Sequence, residues 1–291
     1  AVYLPLRAGL WNIGATGQIY IGAIIGSWIG INVTAPSFVL LTLMFVGAGL
    51  GGAVWGFIPG YLRAKWGVNE IIVSLLIAYA AIEINGYMVR GPMQGGAGNF
   101  PVSEILPDAA LLPDIPVIGS HIGIIIGLLA AVVVYVVVQK TNAGYEITFT
   151  GSNSDAAEQA GMNSLWIYVA VFVVGGALAG MAGLIEIAGV QERLRPDFSP
   201  GYGFTAIVIA LLGRDNAFKV VLAALFFGLL LVGGTSLEVA YTVPAALVEI
   251  IQALVILFLI TAEFLKSYKV DIDFGFGESD PQPTGSTEEG V

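Results

Sequence analysis

Long apolar runs alternate with short polar breaks along this chain. The runs fall at about 17–34, 37–60, 69–90, 117–138, 164–188, 202–213, 217–235 and 244–265. Most approach the roughly 20 residues an α-helix needs to cross the ~30 Å hydrocarbon core of a bilayer. They lack the polar/apolar alternation of barrel strands. The pattern predicts an all-α, polytopic transmembrane bundle. The run at 202–213 covers only about 18 Å at 1.5 Å per residue, too short to cross straight, and reads as half of a broken helix. Residues 1–16 read as another partial segment.

A polar island, Gly151–Met162, separates two of the most apolar runs. It predicts a short surface helix, with Ser154 as N-cap, Asp155 and Glu158 in the first turn and Gly161 as the C′ stop. Ala156 and Ala157 lie between the two acids. A helix this short is not stable alone, so something is expected to hold it.

Composition agrees with the pattern. The chain is 57% hydrophobic and 11% charged, and its mean hydropathy is +0.87. A soluble protein of 291 residues could not bury so much apolar side chain. With no cysteine, disulfides and thiolate chemistry are excluded. No cofactor or metal site is expected. His121 sits where a loop meets a run and reads as an interfacial residue.

Charge orients the chain. With the loop of Arg63 and Lys65 placed inside, Lys140, Arg214, Lys219, Lys266 and Lys269 also fall inside, provided 202–213 carries the chain across. Arg90, Arg193 and Arg195 fall outside, and Arg7 is unassigned. The polar island is then cytoplasmic, and the proline-studded 91–116 loop is external, stiff enough for a lid or docking surface. Residues 1–265 form the membrane domain. Residues 266–291 read as an acidic, disordered, cytoplasmic tail. Net charge is −10, and a tail this acidic argues against nucleic acid or anionic lipid as a partner. The acidic surface and sparing use of lysine would suit a high-salt cytoplasm.

Glu83, Glu186 and Glu249 lie within apolar runs, where an acid must face protein or water rather than lipid. Each reads either as a hydrogen-bonded packing residue or as a pathway group. Two stretches, Gly9–Gln18 and Arg195–Phe204, put Gly, Pro and amides where regular spans carry Leu. They are read as broken backbone lining a cavity or as interfacial loops. Asn12, Gln18, Glu186, Gln191, Tyr202 and Phe204 are expected to line or border the pathway. Amides and acids bond hydroxyls, and rings stack on a sugar or base.

Three segments together resemble the membrane permease subunit of ABC importers of the simple-sugar and nucleoside type, a group that includes ribose and branched-chain amino-acid permeases. They are GLWNIGATGQ at 9–18, GSNSDAAEQAGMN at 151–163 and GVQERLRPDFSPGYGFTAIVIALLG at 189–213. NEIIVSLLIAYAAIEINGYMVR at 69–90 also fits, and coverage runs from about 8 to about 262. Gln191 and the PGYGF at 200–204 favour the nucleoside branch. Family members commonly carry Glu at the place of Thr16 and an apolar residue at that of Glu83. They also carry at least one span ahead of residue 9, so upstream sequence is expected to be missing.

The resemblance implies a multi-pass plasma-membrane protein moving a nucleoside or simple sugar. It implies a second permease subunit, an external substrate-binding protein and a separate ABC ATPase. Ser154, Asp155, Ala156, Ala157, Glu158 and Gly161 would form the ATPase coupling segment. The sequence itself has no G-x-x-x-x-G-K-[S/T] phosphate loop, HExxH or GxSxG, so no catalytic residue is expected. A branched-chain amino-acid ABC permease and an ion-coupled secondary carrier using the three acids are the alternatives.

Overall fold

The computed structural model describes residues 1–96, 100–116, 119–213 and 216–241, with separate helical positions between 247 and 265. The expectations for Arg214, Glu249, Lys266, Lys269 and the acidic tail lie outside these residues. The helices are α1 (Tyr3–Arg7), α2 (Ala15–Asn32), α3 (Ser37–Trp66), α4 (Glu70–Arg90), α5 (Gly123–Lys140), α6 (Asn142–Ser152), α7 (Ser154–Gln159), α8 (Ser164–Glu186), α9 (Tyr202–Leu212) and α10 (Ala217–Tyr241). A π-helical turn, Ile187–Gln191, extends α8. A two-residue hairpin pairs β1 (Asp114–Ile115) with β2 (Ser120–His121).

Among the described residues, five helices are long and apolar enough to cross a membrane: α3, α4, α5, α8 with its π turn, and the first 18 residues of α10. This is an all-α membrane bundle. Helix α2 carries Thr16, Gln18, Ser27 and several glycines and is less apolar. It is enclosed by α3, α4 and α8, so it needs little lipid-compatible surface. The closest crossings use glycine. A Cβ on Gly22 would stand 2.2 Å from Gly180 Cα, and one on Gly52 2.1 Å from Gly176 O. Small residues of this kind let helix backbones approach in lipid, where packing rather than water exclusion drives association.

Helix ends follow local chemistry. Helix α3 ends with Arg63 and Lys65 in its last turn and Gly67 left-handed at φ 66°. Asn69 caps α4, its Oδ1 accepting from Ile71 N at 2.9 Å. Arg63 pairs with Glu70 across the turn at 3.4 Å.

Two apolar cores stack along the bundle. One joins the α1 region, Val138, Phe172, Ala210 and Ala217. The other joins α2, Met44, Leu184, Leu194 and Phe198 with Leu106, Ala110 and Leu112 of the long loop. Arg7 Nη2 donates to Thr148 Oγ1 at 3.1 Å, which brings the unassigned arginine to the end that carries α6. Trp11 N lies 3.4 Å from Glu70 Oε1, tying the same end to Arg63. At the opposite end the described residues of the 91–116 loop form a packed cover. Ser103 N donates to Leu194 O at 3.0 Å, Leu106 N to Glu192 O at 2.8 Å and Leu112 N to Ala188 O at 2.8 Å.

The polar island departs from expectation in two ways. It is the second half of a helical hairpin whose first half, α6, was not anticipated. Its cap is Asn153, not Ser154. Asn153 holds the extended conformation and accepts from Ala156 N at 3.0 Å, whereas Ser154 is already the first helical residue. Gly161 ends the segment left-handed at φ 84°, as expected.

Candidate functional site

The π turn shapes the candidate site. Residues five apart face different sides of an α-helix, but i→i+5 bonding brings them together. Gln191 Nε2 therefore reaches back to Glu186 Oε1 at 3.0 Å. The same amide donates to Phe198 O at 2.7 Å, and the Tyr202 hydroxyl faces Glu186. The turn stops at Glu192, which is left-handed at φ 59°. That conformation costs a non-glycine residue about 1–2 kcal/mol. Glu192 N donates to Ile187 O at 2.7 Å, and Glu192 O receives Leu106 N, so both backbone groups are occupied.

Beyond Glu192 the chain turns back into the bundle without regular structure and restarts as α9. Asn85 on α4 holds this segment through Nδ2, which donates to Arg195 O at 2.8 Å and Pro196 O at 3.0 Å. Phe198 lies on Tyr20 of α2, with ring centroids 4.5 Å apart. Gly203 meets the start of α2 so closely that a Cβ there would stand 2.3 Å from Thr16 Oγ1. The segment buries Leu194 and Phe198 in the bundle and leaves Glu192, Arg195, Asp197 and Pro200 exposed.

The other break, Gly9–Gln18, closes on itself. Asn12 Nδ2 donates to Gln18 Oε1 at 2.9 Å, and Gln18 Nε2 donates to Asn12 Oδ1 at 3.2 Å. Both side chains are buried. By contrast, Glu186, Gln191 and Tyr202 are half-buried, and Phe204 is 42% exposed. Thr16 Oγ1, Asn85 Oδ1 and Ser199 Oγ are buried with no protein partner, so they retain hydrogen-bonding capacity. Asn85, Tyr20 and Ser199 were not singled out in the sequence, and Thr16 stood out only as a departure from the family's usual Glu. The one signal for Asn85 was an amide within an apolar run.

The α6–α7 hairpin is the second candidate. Ala157 is fully buried, Ser154 and Ala156 are half-buried, and Asp155, Glu158 and Gly161 are exposed. The outward face is thus Asp155, Glu158 and Gln159, joined on α6 by exposed Tyr145 and Glu146. Gly9 and Gly151 bring the first break against this hairpin. A Cβ on Gly151 would lie 2.3 Å from Arg7 O, and one on Gly9 2.9 Å from Gly151 O. The three sequence segments therefore touch in series: 151 meets 9, and 16 meets 203.

His121 is placed at the hairpin–α5 junction. Its Nδ1 accepts from Gly123 N at 3.2 Å and its ring lies over Gly189 of the π turn. Among the described residues no three His, Cys, Asp or Glu side chains are grouped to hold a metal.

Residues 1–260 match the family described as branched-chain amino acid transport system / permease component. The chain belongs to this family. It is 57% identical over 285 residues to the glucose ABC transporter permease protein TsgB13 of Haloferax volcanii, covering 94% of this chain and 75% of that one. It is 35% identical to the guanosine ABC transporter permease protein NupP of Bacillus subtilis, over 89% of this chain and 75% of the relative. The nucleoside ABC transporter permease protein NupB of Lactococcus lactis is 28% identical, over 88% of this chain and 73% of its own. No solved structure matches the chain. The permease is an ABC-transporter membrane subunit of the simple-sugar and nucleoside type, as its three motifs implied.

Proposed function

We propose that this permease moves a monosaccharide inward, delivered by an external binding protein and driven by a separate ATPase. The observation that carries the solute is the 57% identity, over 94% of the chain, to a permease named for glucose. A nucleoside is the second reading. It is favoured by the 35% identity to a guanosine permease and by Gln191 with the PGYGF at 200–204. Either solute is neutral and rich in hydroxyls, which suits a site of amides, one acid and aromatic rings.

In this reading the end bearing Arg7, Arg63 and Lys65 is cytoplasmic. The ATPase docks on the outward face of α6–α7, and the cover of 91–116 with Arg193 and Arg195 faces the binding protein. Exposed Asp108, Asp114 and Asp197 would pair with the binding protein's rim. A second permease subunit completes the pathway. Glu186, Gln191, Tyr202 and Phe204 border it, and Asn12 and Gln18 brace the wall behind.

The test is ATP-driven uptake of labelled glucose and guanosine by the assembled transporter in vesicles. Glucose uptake that stops without ATP and survives collapse of ion gradients supports the reading. Uptake of neither solute, with the complex assembled, refutes it.

A further inference from the structure

The π turn that pairs Glu186 with Gln191 is gripped by one short stretch, residues 112–123. Leu112 N donates to Ala188 O at 2.8 Å. A Cβ on Gly123 would stand 2.5 Å from Ile185 Cγ2, so the start of α5 packs against the residue before Glu186. The third contact is His121. A Cβ on Gly189 would meet three atoms of its ring, Cε1 and Nδ1 at 2.6 Å and Cδ2 at 2.8 Å. The imidazole thus covers the backbone of the turn where any side chain would stand. The hairpin holds the ring there. His121 pairs across it with Asp114, and Ile122 N closes it onto Pro113 O at 3.0 Å.

A π turn needs such a grip. It is rare, occurs mostly as a single turn inside an α-helix, and is frequent at functional sites. Released, Ile187–Gln191 would rewind toward the α register, in which residues five apart face different sides. Gln191 would then leave Glu186 and Phe198 O, the two partners of its amide.

The grip contains a proton-dependent bond. His121 Nδ1 accepts from Gly123 N at 3.2 Å. Only a neutral ring, with its hydrogen on Nε2, accepts there; an imidazolium carries N–H on both nitrogens. Protonation sets two donors against each other at the contact that seats the ring between Gly123 and Gly189. His121 is half-buried, within reach of the medium. It is the chain's one histidine, and histidine ordinarily changes charge between about pH 5 and 8. The charged groups on the elements around it are Asp114 across the hairpin and Glu186, Glu192 and Arg193 flanking the π turn. Helix α5 carries none before Lys140.

We propose that His121 is a positioning residue for transport, seating the π turn while its imidazole is neutral and releasing it when protonated. Uptake is lost as the outer medium is acidified through the imidazole range. The inference rests on the reading of this chain as a sugar or nucleoside permease with the hairpin on its outer face.

The test is ATP-driven uptake of glucose and guanosine by the assembled transporter in vesicles. The inside is held at about pH 7.5 and the outside is stepped down to about pH 5.5. Wild type should lose about tenfold one pH unit below the titration midpoint, where about a tenth of the rings stay neutral. His121→Asn keeps an acceptor for Gly123 N but gains no proton. It should hold uptake within about threefold at the higher pH and show no acid limb. Isotope labelling of the permease's one histidine gives a single NMR signal that needs no variant. Its titration midpoint should coincide with the midpoint of the acid limb. A flat wild-type profile, superimposed profiles for wild type and His121→Asn, or an NMR midpoint away from the limb overturns the latch and leaves the permease reading intact. Wild-type vesicles that take up neither solute at the higher pH refute the permease reading, and the transport role of His121 with it.

Discussion

The two broken segments share a composition and differ in how they are held. Gly9–Gln18 is held largely from within: Asn12 and Gln18, six residues apart, exchange two hydrogen bonds and are buried, and Trp11 N adds one tie to Glu70 of α4. Residues 192–204 depend on others. Asn85 reaches from α4, Gln191 from the π turn and Ser103 from the cover, each across an element boundary. A segment held by its own side chains keeps its shape when neighbours shift. A segment held by donors on three elements changes shape when any one of them moves. We expect the first break to act as a fixed strut and the second as a movable wall. The Thr16–Gly203 contact joins them, and the Gly9–Gly151 contact ties the strut to the α6–α7 hairpin.

The largest expected effect is at the joint. Gly203→Val places a side chain where Thr16 already stands, 2.3 Å from Gly203's Cβ position. Overpacking of this kind costs about 1–3 kcal/mol or more. Uptake should vanish, and the melting temperature in detergent should fall. Wild-type uptake would mean that the two breaks do not bear on one another.

Next come the donors to the movable wall. Asn85→Leu leaves the Arg195 and Pro196 carbonyls short of a donor, at about 1–3 kcal/mol for an unsatisfied buried group. Gln191→Leu removes the donor to Phe198 O and one partner of Glu186. Each should lower uptake per folded transporter roughly tenfold to a hundredfold, taking about 1.4 kcal/mol per tenfold. Radiolabelled uptake normalised to folded protein measures this. Gln18→Leu should behave oppositely, losing about 1–3 kcal/mol of stability while uptake per folded molecule stays within about threefold. If Gln18→Leu and Gln191→Leu lose uptake alike, the distinction between strut and wall fails.

Much of this was legible before any coordinates. The starts at Ser37, Glu70, Ser164 and Ala217 lie at or near edges of apolar runs, because lipid contact demands uninterrupted apolar side chains. The half-helix at 202–212 was legible from its length. Helix α6 was not, since Asn142–Ser152 is too polar for a span and its pairing with α7 and Arg7 is tertiary. The Asn153 cap was missed because Ser154 is an equally good capping residue, and only backbone geometry separates them. The π turn was missed because nothing in Ile187–Gln191 differs from ordinary helix. With it went the Glu186–Gln191 contact. The ties between 103–112 and 188–194 join residues about 75 to 90 positions apart, beyond any local pattern. Glu83 stood out as an anomaly, but its outward face needed the packing of Asn85 and Ala81 to define it.

A smaller effect on the fold is expected at the hairpin. Asp155→Lys with Glu158→Lys changes only exposed positions and should cost about 1 kcal/mol, chiefly from placing a cation in the first turn of α7. We expect it to weaken ATPase co-purification and cut uptake about tenfold. Replacing Ala157 instead should unfold the hairpin, because that side chain is fully buried. Normal co-purification after the double charge reversal would move the docking face off α7.

The most direct test of strut against wall is amide hydrogen exchange in the assembled transporter, with and without a non-hydrolysable ATP analogue. The account predicts that exchange in residues 192–204 changes severalfold on nucleotide binding, while residues 9–18 stay unchanged. Equal changes in both segments, or a change confined to 9–18, would contradict it.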